Sequence, residues 1–169
     1  MTEVKKKKGE AFVEFVISRI HADNAFRAAL TRADNPATEY QSWEYLAKWC
    51  DLDKDWERRP LATIAAAIAT AKPARDGYLG IGQAIATCYD DGNQSDQAKA
   101  KFRRLLACDS VIEVCRILRP LLRLISSKEK SVCYGKLVND LMYFGDGEKI
   151  KTQWASNFYG RRQDDSIDS

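Results

Sequence analysis

The sequence predicts an all-α protein built as two small helical bundles packed side by side. Apolar residues recur at steps of three and four along most of the 169 residues. Residues that favour helix starts stand ahead of several of these runs. No alternating apolar-polar stretch is long enough to propose a sheet. With 45% hydrophobic residues the chain can bury a real core. The polar break from Asp90 to Asp96 divides the prediction into an N-terminal bundle at 10–92 and a C-terminal bundle at 95–160. Residues 1–9 and 161–169 are expected to be disordered.

The elements follow in order. Phe12, Val13, Val16, Ile17 and Ile20 mark the first helix. Tyr40, Trp43, Leu46, Ala47 and Cys50 mark a second over 40–50. Pro60 suits a first helical turn, and the Ala-rich run behind it favours helix up to Pro73 and Gly77. Residues 78–89 form another helix, closed by Asp90, Asp91, Gly92 and Asn93. Ser95 would cap the helix carrying Phe102, Leu105 and Leu106. Ser110 and Glu113 make a capping box before the next run, which Pro120 should kink or split. Val132–Phe144 is a further helix, followed by the turn Gly145-Asp146-Gly147. Ile150, Trp154 and Phe158 mark the last one. The four tryptophans, at 43, 49, 56 and 154, read mainly as core.

Most catalytic chemistries lack their residues. The single histidine, His21, is expected at a helix end as a surface or capping residue. Asp51, Asp53 and Asp55 imitate the opening of a calcium loop, but Trp56 and Ala62 stand where Gly and Glu are required. Gly80-x-Gly82 lacks the third glycine of a dinucleotide loop, with Ile85 in its place. The five cysteines form no Cys-x-x-Cys pair and are odd in number, which argues for reduced, buried thiols and against a zinc site. Cys108 and Cys115 have the spacing of one helix face. The reading is therefore no enzyme, no metal and no cofactor. Lys5 to Lys8 open no signal peptide and no run spans a bilayer, so a cytoplasmic protein is expected.

Charge is the strongest functional signal. Lys99–Lys136 holds ten basic and three acidic residues, a net +7 within a chain of +3. Arg116, Arg119 and Arg123 share one face of a helix, with Val111, Val114, Cys115, Leu118, Leu122 and Ile125 opposite. Lys101 and Arg104 share a face of the preceding helix, and Arg103 and Lys136 add to the excess. Lys128 and Lys130 fall in a turn. Such a strip suits a nucleic-acid backbone, which Arg and Lys neutralise without reading bases. The alternative is a structural adaptor whose basic face docks an acidic protein surface.

The order of aromatic-basic patterns resembles the CasB family, the small subunit of the type I-E Cascade CRISPR effector. The patterns are Lys101-Phe102 before Leu105-Leu106, Arg116 and Arg119, Tyr134 through Asp140-Leu141-Met142-Tyr143-Phe144-Gly145, Lys149 and Lys151, Trp154-Ala155 and Phe158-Tyr159. In the N-terminal half, Arg27-Ala28-Ala29-Leu30-Thr31-Arg32, Trp43 with Tyr45, and Leu79-Gly80 are also similar. The resemblance implies a non-catalytic, nucleic-acid-binding subunit of antiviral defence that helps stabilise the R-loop, while guide pairing reads the sequence. It implies as partners the backbone and large Cascade subunits, the guide RNA, target and displaced single-stranded DNA, and a second copy of the chain. The family's basic positions carry to Arg27, Arg32, Lys101, Arg119, Lys149 and Lys151. Arg103, Arg104 and Arg123 rest on charge pattern alone. The chain departs from the family at Pro120 and at Gly147-Glu148.

Overall fold

A computed structural model describes residues 2–160, with side chains from Lys8 onward. The expected tail at 161–169 lies outside the described residues. The helices are α1 (Thr2–Ala22), α2 (Asn24–Thr31), α3 (Trp43–Leu46), α4 (Asp55–Ala71), α5 (Ile81–Ala86), α6 (Asp96–Leu106), α7 (Val111–Ser127), α8 (Tyr134–Met142) and α9 (Glu148–Tyr159). Among the described residues the one β contact is an isolated parallel bridge between Leu79 and Val132. The all-α expectation therefore holds. The first helix starts earlier than expected, because the backbone of 2–9 continues α1.

The centre of the molecule is α4. Pro60 to Ala66, Ile68 and Ala69 are all buried, so nearly every side of this helix is covered. Its alanines carry little bulk, which lets neighbours approach closely, and a helix that is apolar all round belongs in an interior. It packs on α7, α2, α8 and α1. Pro60 sits inside α4 rather than in its first turn, since the helix begins at Asp55.

The packing ties together the two halves on either side of residues 90–96. The most extensive contacts join α1 to α8, α4 to α7 and α5 to α9, and each pair straddles residues 90–96. A single apolar cluster runs from Phe12 to Phe158 across that break. The polar residues there form only a 3-10 turn, Gly92–Gln94, on the surface. Loop polarity marked a chain reversal, and the apolar faces on either side of it found each other.

Two other expectations change. Residues 40–50 form a 3-10 turn, Glu39–Ser42, and the single-turn helix α3, so the assumed helical face does not exist. Of its apolar residues only Leu46 is fully buried, and Trp43 is 37% exposed. Trp56, in the first turn of α4, is 54% exposed. Trp154 is buried and donates from Nε1 to Asp140 Oδ2 at 2.9 Å, and Trp49 packs edge-on against Phe12 at 5.4 Å. The tryptophan set thus divides between core and surface. Pro120 does not split its helix: α7 is continuous from Val111 to Ser127. The proline is exposed, so the carbonyl left without its N–H partner can be hydrated.

Polar side chains fix several helix ends, Asp23 Oδ1 at the start of α2 accepting from Phe26 N at 3.0 Å. Ser95 Oγ accepts from Ala98 N at 3.2 Å, and Ser110 Oγ accepts from Glu113 N at 3.3 Å. The Glu113 carboxylate returns to Asp109 N at 3.1 Å, completing the capping box one residue earlier than the standard pattern. The start of α8 is capped from far away in sequence. Asp76 accepts from Tyr134 N at 2.7 Å and from Gly135 N at 3.0 Å. Beside it, Leu79 N donates to Ser131 O at 2.9 Å and Cys133 N to Leu79 O at 2.7 Å.

The rejected motifs find structural uses. His21 Nε2 is 2.9 Å from the carbonyl oxygen of Pro73. Asp51 Oδ1 accepts from Asp53 N at 3.1 Å inside its own turn. Gly82 lets α5 lie directly on α9: a Cβ there would stand 2.7 Å from Trp154 O and 2.8 Å from Phe158 N. Cys88, Cys108 and Cys115 are buried as free thiols, while Cys50 and Cys133 are half-buried. Cys108 lies in the turn before α7, so it and Cys115 do not share a helix face.

Three outcomes follow for stability and reactivity. Gly82→Ala should destabilise the chain by about 1–3 kcal/mol in thermal or urea denaturation, because backbone rather than a flexible side chain blocks the methyl. Asp76→Ala should cost about 1–3 kcal/mol, since two N–H groups at the start of α8 lose their acceptor together. Burial pushes the Cys115 thiol up to about 12. A raised thiol pKa means protonation across the ordinary range, so at pH 8 a thiol reagent should reach Cys115 only after denaturation, as read by peptide mass mapping.

Candidate nucleic-acid interface

The apolar side of α7 is Val111, Val114, Cys115, Leu118, Leu121, Leu122 and Ile125, all buried. Its main seat is α4. Thr63 faces Cys115 near one end, and Thr70 and Ala71 lie by Arg123 and Ser126 near the other. The two helices therefore run in the same direction. Burying that stripe turns Arg116 and Arg123 to solvent and leaves Arg119 partly covered.

The loop between α2 and the 3-10 turn at Glu39 supplies two internal carboxylates to this region. Asp34 Oδ2 accepts from Arg119 Nε at 3.0 Å and stands 3.8 Å from Arg123 Nη2. Five residues on, Glu39 Oε1 lies 3.4 Å from Arg58 Nε and 3.7 Å from Arg59 Nε. Both acid side chains are nearly covered, at 10% and 5% exposure, whereas their arginines keep a solvent-facing part. The Arg58 guanidinium also lies 5.6 Å from the Trp43 ring centroid. Pairing of this kind keeps desolvated carboxylates matched while the long cations still face outward.

Between the loop and the start of α7 lies a groove of about 300 Å³. Arg59, Arg116 and Arg119 line it, with Asp34 at one wall and Ile112 and Cys115 toward its floor. The groove sets three guanidinium groups beside apolar side chains, an arrangement suited to phosphate oxygens.

The predicted site residues divide into groups. Arg116, Arg119 and Arg123 come together on α7 as expected. Arg32 is exposed at the start of the loop that carries Asp34 and donates from Nη1 to Gln41 Oε1 at 3.0 Å. Arg27 is half-buried and commits its Nε to the carbonyl of Ala69 at 2.9 Å, in the last turn of α4. That contact ties down the negative end of a helix dipole. Arg103 and Arg104 are exposed in the last turn of α6, and Lys101 is half-buried. Phe102 of α6 stacks on Phe158 of α9 with ring centroids 4.4 Å apart, so α6 stands beside α9. Lys149 is exposed on α9. Asp109, in the turn before α7, and Glu113, in its first turn, stand between the α6 and α7 cations in sequence, so the basic run is interrupted by acid. Lys136 lies elsewhere, in a cleft with Asp140, Trp154 and Asn157. There burial raises the Asp140 carboxyl, offset in part by the Trp154 hydrogen bond.

The sequence reading missed Arg58, Arg59, Asp34 and Glu39. Arg58-Arg59 adjoins Asp51, Asp53, Asp55 and Glu57, so local charge balance concealed it. Nothing local marks Asp34, whose partners lie on a helix far along the chain. Among the described residues no three His, Cys, Asp or Glu side chains gather as a metal site, and no helix is long and apolar enough to cross a membrane.

The family model for the CRISPR-associated protein Cse2 matches residues 26–159. Among solved structures, a chain of a CRISPR RNA-guided surveillance complex superposes with a TM-score of 0.74 at 20% identity, covering 92% of this chain and 93% of that one. A Cse2-family CRISPR-associated protein from Thermus thermophilus gives 0.71 at 21% identity, over 89% and 97% of the two chains. CasB from Thermobifida fusca gives 0.67 at 14% identity, over 90% and 98%. No curated protein matches by sequence.

Proposed function

The chain belongs to the Cse2 family of CRISPR-associated proteins, and from that premise we propose that it is a non-catalytic small subunit of a type I-E CRISPR surveillance complex. In that role it contacts the backbones of guide RNA and of target and displaced DNA, and it stabilises the R-loop. The observation that carries the reading is the arginine-lined groove at the start of α7. Two of its three arginines, Arg59 and Arg119, pair with internal carboxylates, and apolar side chains share the lining. Backbone contact of this kind carries no sequence choice, which fits a complex in which base pairing to a guide supplies the specificity.

The proposed partners divide between surfaces. Cations on α7, with Arg59 and Arg32 near them, serve the nucleic acid. The exposed aromatics Tyr40, Trp43 and Trp56 serve other subunits or a second copy, since tyrosine and tryptophan are enriched where proteins meet. A docking role for the basic face on an acidic protein is the competing reading. Its discriminator is competition, because nucleic acid would then displace the protein partner.

Arg116 is the cleanest probe, being exposed on the groove rim. Arg116→Glu should leave the melting temperature nearly unchanged. It should weaken single-stranded DNA binding about three- to tenfold, and it should lower the slope of log affinity against log salt by about one. R-loops formed by the assembled complex should dissociate faster with this variant. A wild-type affinity independent of salt would remove the reading.

A further inference from the structure

Building on the nucleic-acid reading, we propose that Asp34 is a positioning residue. It is a fixed internal carboxylate that holds Arg119 and Arg123 on the outer face of α7 in the orientation that receives a phosphate. The two arginines are one helical turn apart and, as like charges at that spacing, repel each other. Asp34 stands between them, using one oxygen for both: Oδ2 is 3.0 Å from Arg119 Nε and 3.8 Å from Arg123 Nη2.

The atoms used matter. Asp34 takes the Nε donor of Arg119, on the side of the guanidinium. The hydrogen bond to Asp34 uses Nε, and among the described residues no hydrogen bond occupies the terminal Nη pair, which remains available for a bidentate contact. Arg119 is 39% exposed and Arg123 56%, so both still reach solvent.

The carboxylate cannot easily yield its place to an incoming phosphate. Its side chain is 10% exposed, and Oδ1 is fully buried with no partner. The loop carrying it is closed on itself. Thr38 Oγ1 donates to Arg32 O at 2.8 Å, Glu39 N to Asn35 O at 2.8 Å, and Ala37 N to Asn35 Oδ1 at 3.0 Å, while Ala33 beside Asp34 is completely buried. A carboxylate serving the fold alone would gain from a donor at Oδ1. Here the loop sets it where Oδ2 meets two guanidinium groups. Asp34 therefore acts as a template beneath the arginines and not as a competitor for their ligand. Holding an arginine in its binding rotamer removes an ordering cost from the association step.

The proposal makes a prediction of unusual sign. Asp34→Asn keeps the side-chain size and raises the net charge by one, so simple electrostatics predicts tighter binding to a polyanion. Positioning predicts weaker binding. For the full chain, free and in the assembled complex, single-stranded DNA affinity should fall about three- to tenfold, with a shallower salt slope. The losses from Asp34→Asn and Arg119→Gln should fail to add in the double variant, because both disable the same group. Equal or tighter binding by Asp34→Asn, or additive losses, overturns the proposal while leaving the nucleic-acid reading intact. Absence of binding by the wild type removes both. If Asp34→Asn does not fold, the wild-type chain still decides. The Arg119 Nε–H signal should show a rigid heteronuclear NOE without DNA, and that of Arg116 a mobile one. Equal mobility of the two overturns the proposal.

Discussion

Burial of α4 on almost every side is the constraint from which the other positions follow. From Pro60 to Ala69 this helix carries almost only apolar residues and has no face to give to water, so that stretch must be enclosed. Enclosing it takes helices from both ends of the chain: α1 and α2 from before it, α7 and α8 from after. Once α7 is seated by its buried stripe, its arginines have only one direction in which to project. The basic face is in this sense a by-product of how the core is closed.

Charge is then distributed by connectivity. The loop leaving α2 brings Asp34 and Glu39 beneath four arginines on α4 and α7. Exposed ion pairs contribute little to stability, and these are only partly covered on the arginine side. Their larger effect is geometric, since long flexible cations gain fixed anchors at their inner ends. Polyanion binding that relies on such anchored groups loses less conformational entropy than binding by free surface lysines.

Much of this was legible in the residues. Helical periodicity found α1, α4, α6, α7, α8 and α9, because each has an apolar stripe long enough to show its period. Ser95 and Ser110 announced helix starts that the hydrogen bonds bear out. Phasing of α7 named Arg116, Arg119 and Arg123 as one face. Periodicity failed where elements are short. Over 40–50 a single helical turn and a 3-10 turn replace the expected helix, so spacing no longer reports on side-chain direction. Pro120 does not split its helix for a different reason: the stripe is buried on both sides of the proline and holds the helix together.

What the sequence alone determined was the class of fold, the inward and outward faces of the long helices, and the concentration of positive charge between residues 99 and 136. All of these depend on neighbours within one or two helical turns or on composition. Tertiary structure alone decided that the two halves share one core, that Asp76 caps a helix 58 residues away, and that Arg59 joins Arg116 and Arg119 around one groove with Asp34 as a counter-charge at its wall. Those relations join side chains far apart in the chain. No local pattern records them, because it is the burial of α4 that sets which distant surfaces are brought into contact.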